Sequence, residues 1–142
     1  MGELGGLDKI LVDTDVLLHD TFEDSEKHAE AAEMLDEANK VYLPSIVVHE
    51  YLWLLLVKFR QSPEIVREKL EEYFGDARFI YVSENSEVFL RALEMMREDG
   101  AEPYMVNDYI LLVLAQRLGA VLVTYDEELK EIAKARGVAT LP

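Results

Sequence analysis

The sequence predicts an α/β domain, and three observations carry the prediction. Short β-friendly runs alternate with longer segments of helical periodicity along the chain. Two of those runs end in aspartates: Ile10-Leu11-Val12-Asp13-Thr14-Asp15 near the start and Val121-Leu122-Val123-Thr124-Tyr125-Asp126 near the end. Glycines at 75, 100 and 119 each follow a helix-like segment, where a C-terminal stop belongs.

The elements follow in order. Lys9 to Val12 reads as a buried first strand, and Asp15 to Leu18 begins a short helix. Glu26 to Lys40 is helical, with Ala29, Ala32, Leu35 and Ala38 at helical spacing. Val41 to Leu43 is a second strand, stopped by Pro44. Ser45 is then a plausible N-cap for a helix from Ile46 to about Arg60. That helix is apolar almost all round, which predicts a central position or a protein interface. Ser62-Pro63 opens a helix through Phe74. Arg78 to Val82 is a third strand, Ser86 to Asp99 a helix, and Tyr104 to Leu118 another. Ala120 to Thr124, Glu127 to Arg136 and Val138 to Leu141 complete the chain as strand, helix and strand. No repeat, linker or low-complexity segment interrupts this order. Residues 1–142 therefore read as a single domain, with 1–8 a flexible start.

A chain of 142 residues suits one core. No run of about 18 apolar residues is present, so no membrane-spanning helix is expected. With no cysteine, disulfides, zinc-thiolate sites and cysteine nucleophiles are excluded. The start lacks the pattern of a secretory signal, and a cytoplasmic protein is expected. The formal net charge of −15 argues against broad electrostatic attraction to nucleic acid. It leaves room for a metal-assisted nuclease, because cations neutralise clustered acids locally, and for a basic protein partner.

Each acid has a structural and a functional reading. Asp13 is either an N-cap or a metal ligand at a strand end, and Asp15 a second ligand, a supporting group or the cap itself. Glu50 sits among Ile46, Val47, Trp53 and Leu54 on the apolar helix, either in a buried ion pair or projecting into a shared cavity. Asp108 and Asp126 each stand at a helix start, where capping competes with a site role. Two buried strands of a parallel sheet that each end in a carboxylate aim both acids at one point. His19, His28 and His49 lack the spacing of a zinc pair and read as surface or packing residues. Tyr51, Trp53 and Phe59 read as core rather than as base-stacking platforms. Phosphate-loop, dinucleotide and serine-elbow motifs are absent.

Three stretches together resemble the PIN-domain family of ribonucleases, which includes the VapC-type toxins. They are Val12-Asp13-Thr14-Asp15-Val16-Leu17-Leu18, Leu43-Pro44-Ser45-Ile46-Val47-Val48-His49-Glu50-Tyr51, and Asn107-Asp108-Tyr109-Ile110 through Ala115, Leu118, Gly119 and Ala120 into Leu122-Val123-Thr124-Tyr125-Asp126. The likeness spans Lys9 to Pro142. It implies a three-layer α/β/α fold around a five-stranded parallel sheet. It also places Asp13, Glu50, Asp108 and Asp126 at the four acidic positions and Thr124 at the accompanying hydroxyl. Asp15 stands where the family more often has Asn or Ser, which adds negative charge to the metal site.

Carboxylates are hard oxygen ligands suited to Mg2+ or Mn2+. The expected function is a metal-dependent endoribonuclease with RNA as substrate, and an antitoxin protein is the partner that the resemblance to VapC-type toxins implies. Self-association as a homodimer is expected from the apolar 46–59 helix. Two alternatives from other classes compete. Asp13-Thr14-Asp15-Val16 also fits a haloacid-dehalogenase-like phosphatase, but no convincing lysine strand accompanies it. A signal-receiver domain lacks its lysine in the same way. A PIN-like module that binds RNA or protein without cleaving is the third reading.

Overall fold

The first strand, β1 (Lys9–Val12), is buried from Ile10 to Val12 and lies at the centre of a five-stranded sheet. This is the arrangement in a computed structural model that describes residues 7–142. The other strands are β2 (Lys40–Pro44), β3 (Phe79–Val82), β4 (Val121–Val123) and β5 (Thr140–Leu141). Their order is β3-β2-β1-β4-β5, and every pairing is parallel. Apolar runs with no polar alternation fit this, since both faces of a parallel sheet are covered by helices. The flexible start expected over 1–8 falls largely on residues 1–6, outside the described residues.

The helices are α1 (Thr14–Thr21), α2 (His28–Glu37), α3 (Ser45–Trp53), α4 (Pro63–Phe74), α5 (Ser86–Asp99), α6 (Val106–Leu118) and α7 (Glu127–Ala135). Helix α1 packs against α2 and α3, whereas α6 packs against α5 and α7. Right-handed crossovers from a strand order that reverses at β1 put these two groups on opposite faces, giving the three-layer α/β/α fold. The most buried helix is α6, in which Tyr109 to Ala115 are all inaccessible. Its end is set by Gly119, whose φ of 64° is a left-handed conformation that glycine adopts without steric cost.

Several boundaries moved, each for a local reason. The expected helix from Ile46 to Arg60 runs as α-helix only to Trp53 and then widens into a π turn, Leu54–Lys58. In that turn the Phe59 N–H donates to Leu54 O at 2.9 Å. The wide turn keeps Leu55 in the core while Phe59 packs at a tilt against Phe22, with centroids 4.8 Å apart. Ser45 is not the N-cap: Pro44 takes that position, and Glu84 supplies the missing acceptor. The Ser45 hydroxyl and the Ile46 N–H both donate to its carboxylate. The last strand is shorter than expected because Gly137, at φ 74°, and Val138 are still turning out of α7. Trp53 and Phe59, expected in the core, are 53% and 38% exposed. Val47, Tyr51 and Leu55 make up the buried face instead.

Two polar devices lock α1, α2 and α4 in place. The Tyr51 hydroxyl donates to Thr21 Oγ1 at 2.6 Å, because that threonine spends its own hydrogen on Leu17 O. Tyr73 donates to Asp20 at 2.7 Å. The second device is Arg78. Helix α2 has no basic residue in its last turn, and the Arg78 guanidinium reaches across from the start of β3. It donates to the carbonyls of Leu35 at 2.9 Å, Asp36 at 3.1 Å and Ala38 at 2.9 Å, while Asp76 holds its other edge. Lysine carries the same charge but lacks the fork. Arg78→Lys is therefore expected to lower the unfolding free energy by about 1 kcal/mol, read by urea denaturation. An unchanged midpoint would show that the cluster adds nothing to stability.

Candidate active site

Strand order reverses between β1 and β4, and at such a switch point the carboxyl ends of the two strands open a crevice. Asp13 is the first residue beyond β1. Its N–H donates to Val123 O at 3.0 Å, continuing the β1–β4 pairing by one step. Its side chain caps α1, accepting from the Thr14 N–H at 2.7 Å through Oδ1. The other oxygen, Oδ2, accepts from the Thr124 hydroxyl at 2.8 Å. Thr124 is fully buried, and the same hydroxyl oxygen accepts from the Asp126 N–H at 3.0 Å.

Asp126 caps α7 through Oδ1, which accepts from Glu128 N–H at 2.9 Å and Leu129 N–H at 3.3 Å. Both strand-end acids thus cap the helix that follows them. Asp15, in the first turn of α1, accepts from the Tyr125 N–H at 3.3 Å through Oδ2, while its buried Oδ1 has no partner among the described residues. Asp108 does not cap α6; Met105 occupies that position, without a side-chain cap. Glu50 is exposed, so of its two readings the buried ion pair is not the one that forms.

These pieces converge. Asp13, Asp15, Glu50, Asp108 and Asp126 line one cavity of about 330 Å³. Thr124 lies behind its wall and holds Asp13. Glu128 also lines the cavity and accepts a hydrogen bond from the Tyr104 hydroxyl at 2.7 Å. Sequence reasoning missed this pair. The available signal was Glu128 two residues after Asp126, which reads equally as an ordinary acidic first turn. No lysine, arginine or histidine is among the lining residues, and among the described residues none of the five predicted acids forms a salt bridge.

Crowding without cations disfavours ionisation. Burial, then the neighbouring Asp15 charge, pushes Asp13 up to about 7 against the opposing Thr124 hydrogen bond. Burial, then Asp126 and Asp13, pushes Asp108 up to about 7. Asp15 is pushed up to about 6, mainly by burial. Among the described residues, no three acidic or histidine side chains converge tightly enough to make a ready coordination sphere. The donor chemistry nevertheless fits a hard divalent cation: an all-oxygen set with excess negative charge, and a buried carboxylate oxygen without a partner. Magnesium retains several waters and needs only one or two direct carboxylates, so a loose ring of acids suits it.

A sequence profile of the PIN domain family matches residues 10–135. No curated protein matches the chain. Among solved structures, it is similar to the Mycobacterium tuberculosis toxin VapC20, described as cleaving the sarcin–ricin loop. That similarity has a TM-score of 0.72 at 17% identity and covers 87% of this chain and 94% of that one. It is also similar to a chain of VapBC2 from Rickettsia felis bound to a promoter DNA fragment, with TM-score 0.66, 16% identity and coverage of 94% and 97%. A chain of a toxin–antitoxin complex from Klebsiella pneumoniae gives 0.64 at 21%, covering 92% and 96%.

The raised acids set a pH dependence. A carboxyl group whose folded pKa exceeds its unfolded value contributes stability below about pH 4, and loses it as pH rises through the folded value. Asp76, Glu98 and Asp99 are lowered and act oppositely, but their contribution is fully present once pH exceeds the ordinary carboxylate range and so changes little above it. Metal-free protein is therefore expected to melt several degrees lower at pH 7.5 than at pH 5, with a shallower slope in Asp13→Asn. Mn2+ should raise the melting temperature more at pH 7.5 than at pH 5. Equal slopes in the two proteins would contradict the shift at Asp13.

Proposed function

We propose that this chain, which belongs to the PIN-domain family, is an endoribonuclease that works with Mg2+ or Mn2+ and is the toxin of a toxin–antitoxin pair. The observation that carries the reading is the meeting of Asp13, Asp15, Glu50, Asp108 and Asp126 around one cavity without a cationic side chain. Residues 1–142 are read as one PIN-like domain. Asp13, Glu50, Asp108 and Asp126 are the residues assigned to hold the ion, with Asp15 as a further ligand. A divalent ion held there supplies positive charge to the phosphate oxygens and acidifies the attacking water.

The protein's own contributions are positional. Asp13 and Asp126 are each held by hydrogen bonds to the helix that they cap, which fixes the carboxylates at the cavity wall. Thr124 holds Asp13 ionised longer by donating to it. Asp108 lines the cavity from the buried α6. Glu50 lines it from α3 and, being exposed, is free to adjust to substrate.

The antitoxin assignment draws on the toxin–antitoxin complexes among the similar folds. A basic protein partner suits a net charge of −15. Exposed Leu56, Val57 and Phe59 support self-association. No helix among the described residues is long and apolar enough to cross a membrane, and a cytoplasmic site of action is part of the proposal. The phosphatase alternative requires a lysine that the cavity does not line.

With Mn2+, purified protein should cleave RNA, and EDTA should stop it. Asp13→Asn and Asp108→Asn should each lose a hundredfold or more, roughly, in kcat. Thr124→Val removes the donor that lowers Asp13, so the acid limb of its pH–rate profile should move to higher pH. Its rate should fall by about ten- to a hundredfold, as for a group that orients a ligand. Hydrolysis of a phosphate monoester with a trapped phosphoaspartate, and no RNA cleavage, would reverse the assignment.

A further inference from the structure

A second, wider cavity of about 760 Å³ adjoins the acid-lined one and shares Ile46, Glu50 and Asn107 with it. Its volume falls in the range of about 300–1,000 Å³ usual for small-molecule sites. The remaining wall carries Trp53, Tyr81 and His49, all exposed. Phe74 fixes the Tyr81 ring edge-on, with centroids 6.1 Å apart. Trp53 projects from the last turn of α3, immediately before the π turn.

Solvent-exposed rings beside an acidic site call for a ligand. Lysine and arginine line neither cavity, and the net charge repels a polyanion. A substrate that must bring a phosphate to the acids therefore has to be held by its uncharged parts. Bases stack on aromatic side chains largely independently of sequence, and sequence-specific proteins reach RNA mostly where its bases are unpaired.

The geometry points to a nucleobase subsite: Trp53 and Tyr81 receive an unpaired base flanking the scissile phosphate. His49 and Asn107 supply hydrogen-bonding groups for its edge. The inference rests on the proposed nuclease reading and names where its substrate is gripped. Single-stranded or looped RNA is then preferred over duplex, whose bases are not free to stack there.

Trp53 is the sole tryptophan, so tryptophan emission, excited at wavelengths that tyrosine does not absorb, reports on this wall alone. A single-stranded hexaribonucleotide added to metal-free protein in EDTA is expected to quench it saturably. The affinity should hold or strengthen between salt of about 0.1 M and about 0.5 M, because screening relieves repulsion and no counterion release drives binding. An abasic oligomer of equal charge should leave the signal unchanged. With Mg2+, Trp53→Ala and Tyr81→Ala should raise KM for RNA by about ten- to a hundredfold with kcat nearly unchanged, and Trp53→Phe should restore most of it. Equal quenching by the abasic oligomer, or an unchanged KM in Trp53→Ala with cleavage intact, would remove the subsite and leave the nuclease standing. A Trp53 signal that follows protein concentration in sedimentation runs, and ignores the oligonucleotide, would assign the wall to a contact between copies. Base-dependent quenching with no cleavage of any RNA would instead remove the nuclease and keep the binding site.

Discussion

One hydroxyl joins the parts of this molecule that matter for chemistry. Thr124 is inaccessible, donates to Asp13 at the end of β1 and accepts from the amide of Asp126 at the start of α7. Two adjacent parallel strands thus end at a fixed separation, and the acids beyond them cannot drift apart. A side chain with one donor and two acceptor positions is the smallest group able to do this. Valine would fill similar space and make neither bond.

That joint acts against electrostatic repulsion. Asp13, Asp15 and Asp108 are all pushed up by burial and by neighbouring carboxylates, and no basic side chain lines their cavity. Left alone, the fold keeps part of this charge as protons. The caps of α1 and α7 and the buried α6 oppose relaxation, so the acids stay around the cavity rather than swinging away. Native stability is spent on a pre-arranged site, in the sense that rigid elements hold groups that would otherwise separate.

Much of the architecture was legible because it depends on short-range pattern. Uninterrupted apolar runs at 10–12, 41–43 and 120–123 mark strands covered on both faces, and Gly100 and Gly119 stop their helices where expected. The five acids were legible too, since each stands at a strand end or on an apolar helix, and all five line one cavity. What escaped was set by contacts distant in sequence. Glu84, not Ser45, satisfies the start of α3. The helix widens into a π turn only after Trp53, and Trp53, read as core, faces solvent. Glu128 gives no local sign that it lines the cavity. Composition alone cannot report which face of an all-apolar helix is covered.

Asp126 answers to two masters, and this restricts what can replace it. Its Oδ1 ties down two free amides of α7 while the residue also lines the acid cavity. Glutamate would preserve the charge, but its extra methylene suits it poorly to folding back onto those amides. Asparagine or serine would preserve the cap and discard the anion. Glu50 carries no such second duty and sits in the open. Across natural variants, position 126 should therefore be the rigid one and position 50 the place where a shorter acid can be exchanged without unravelling a helix.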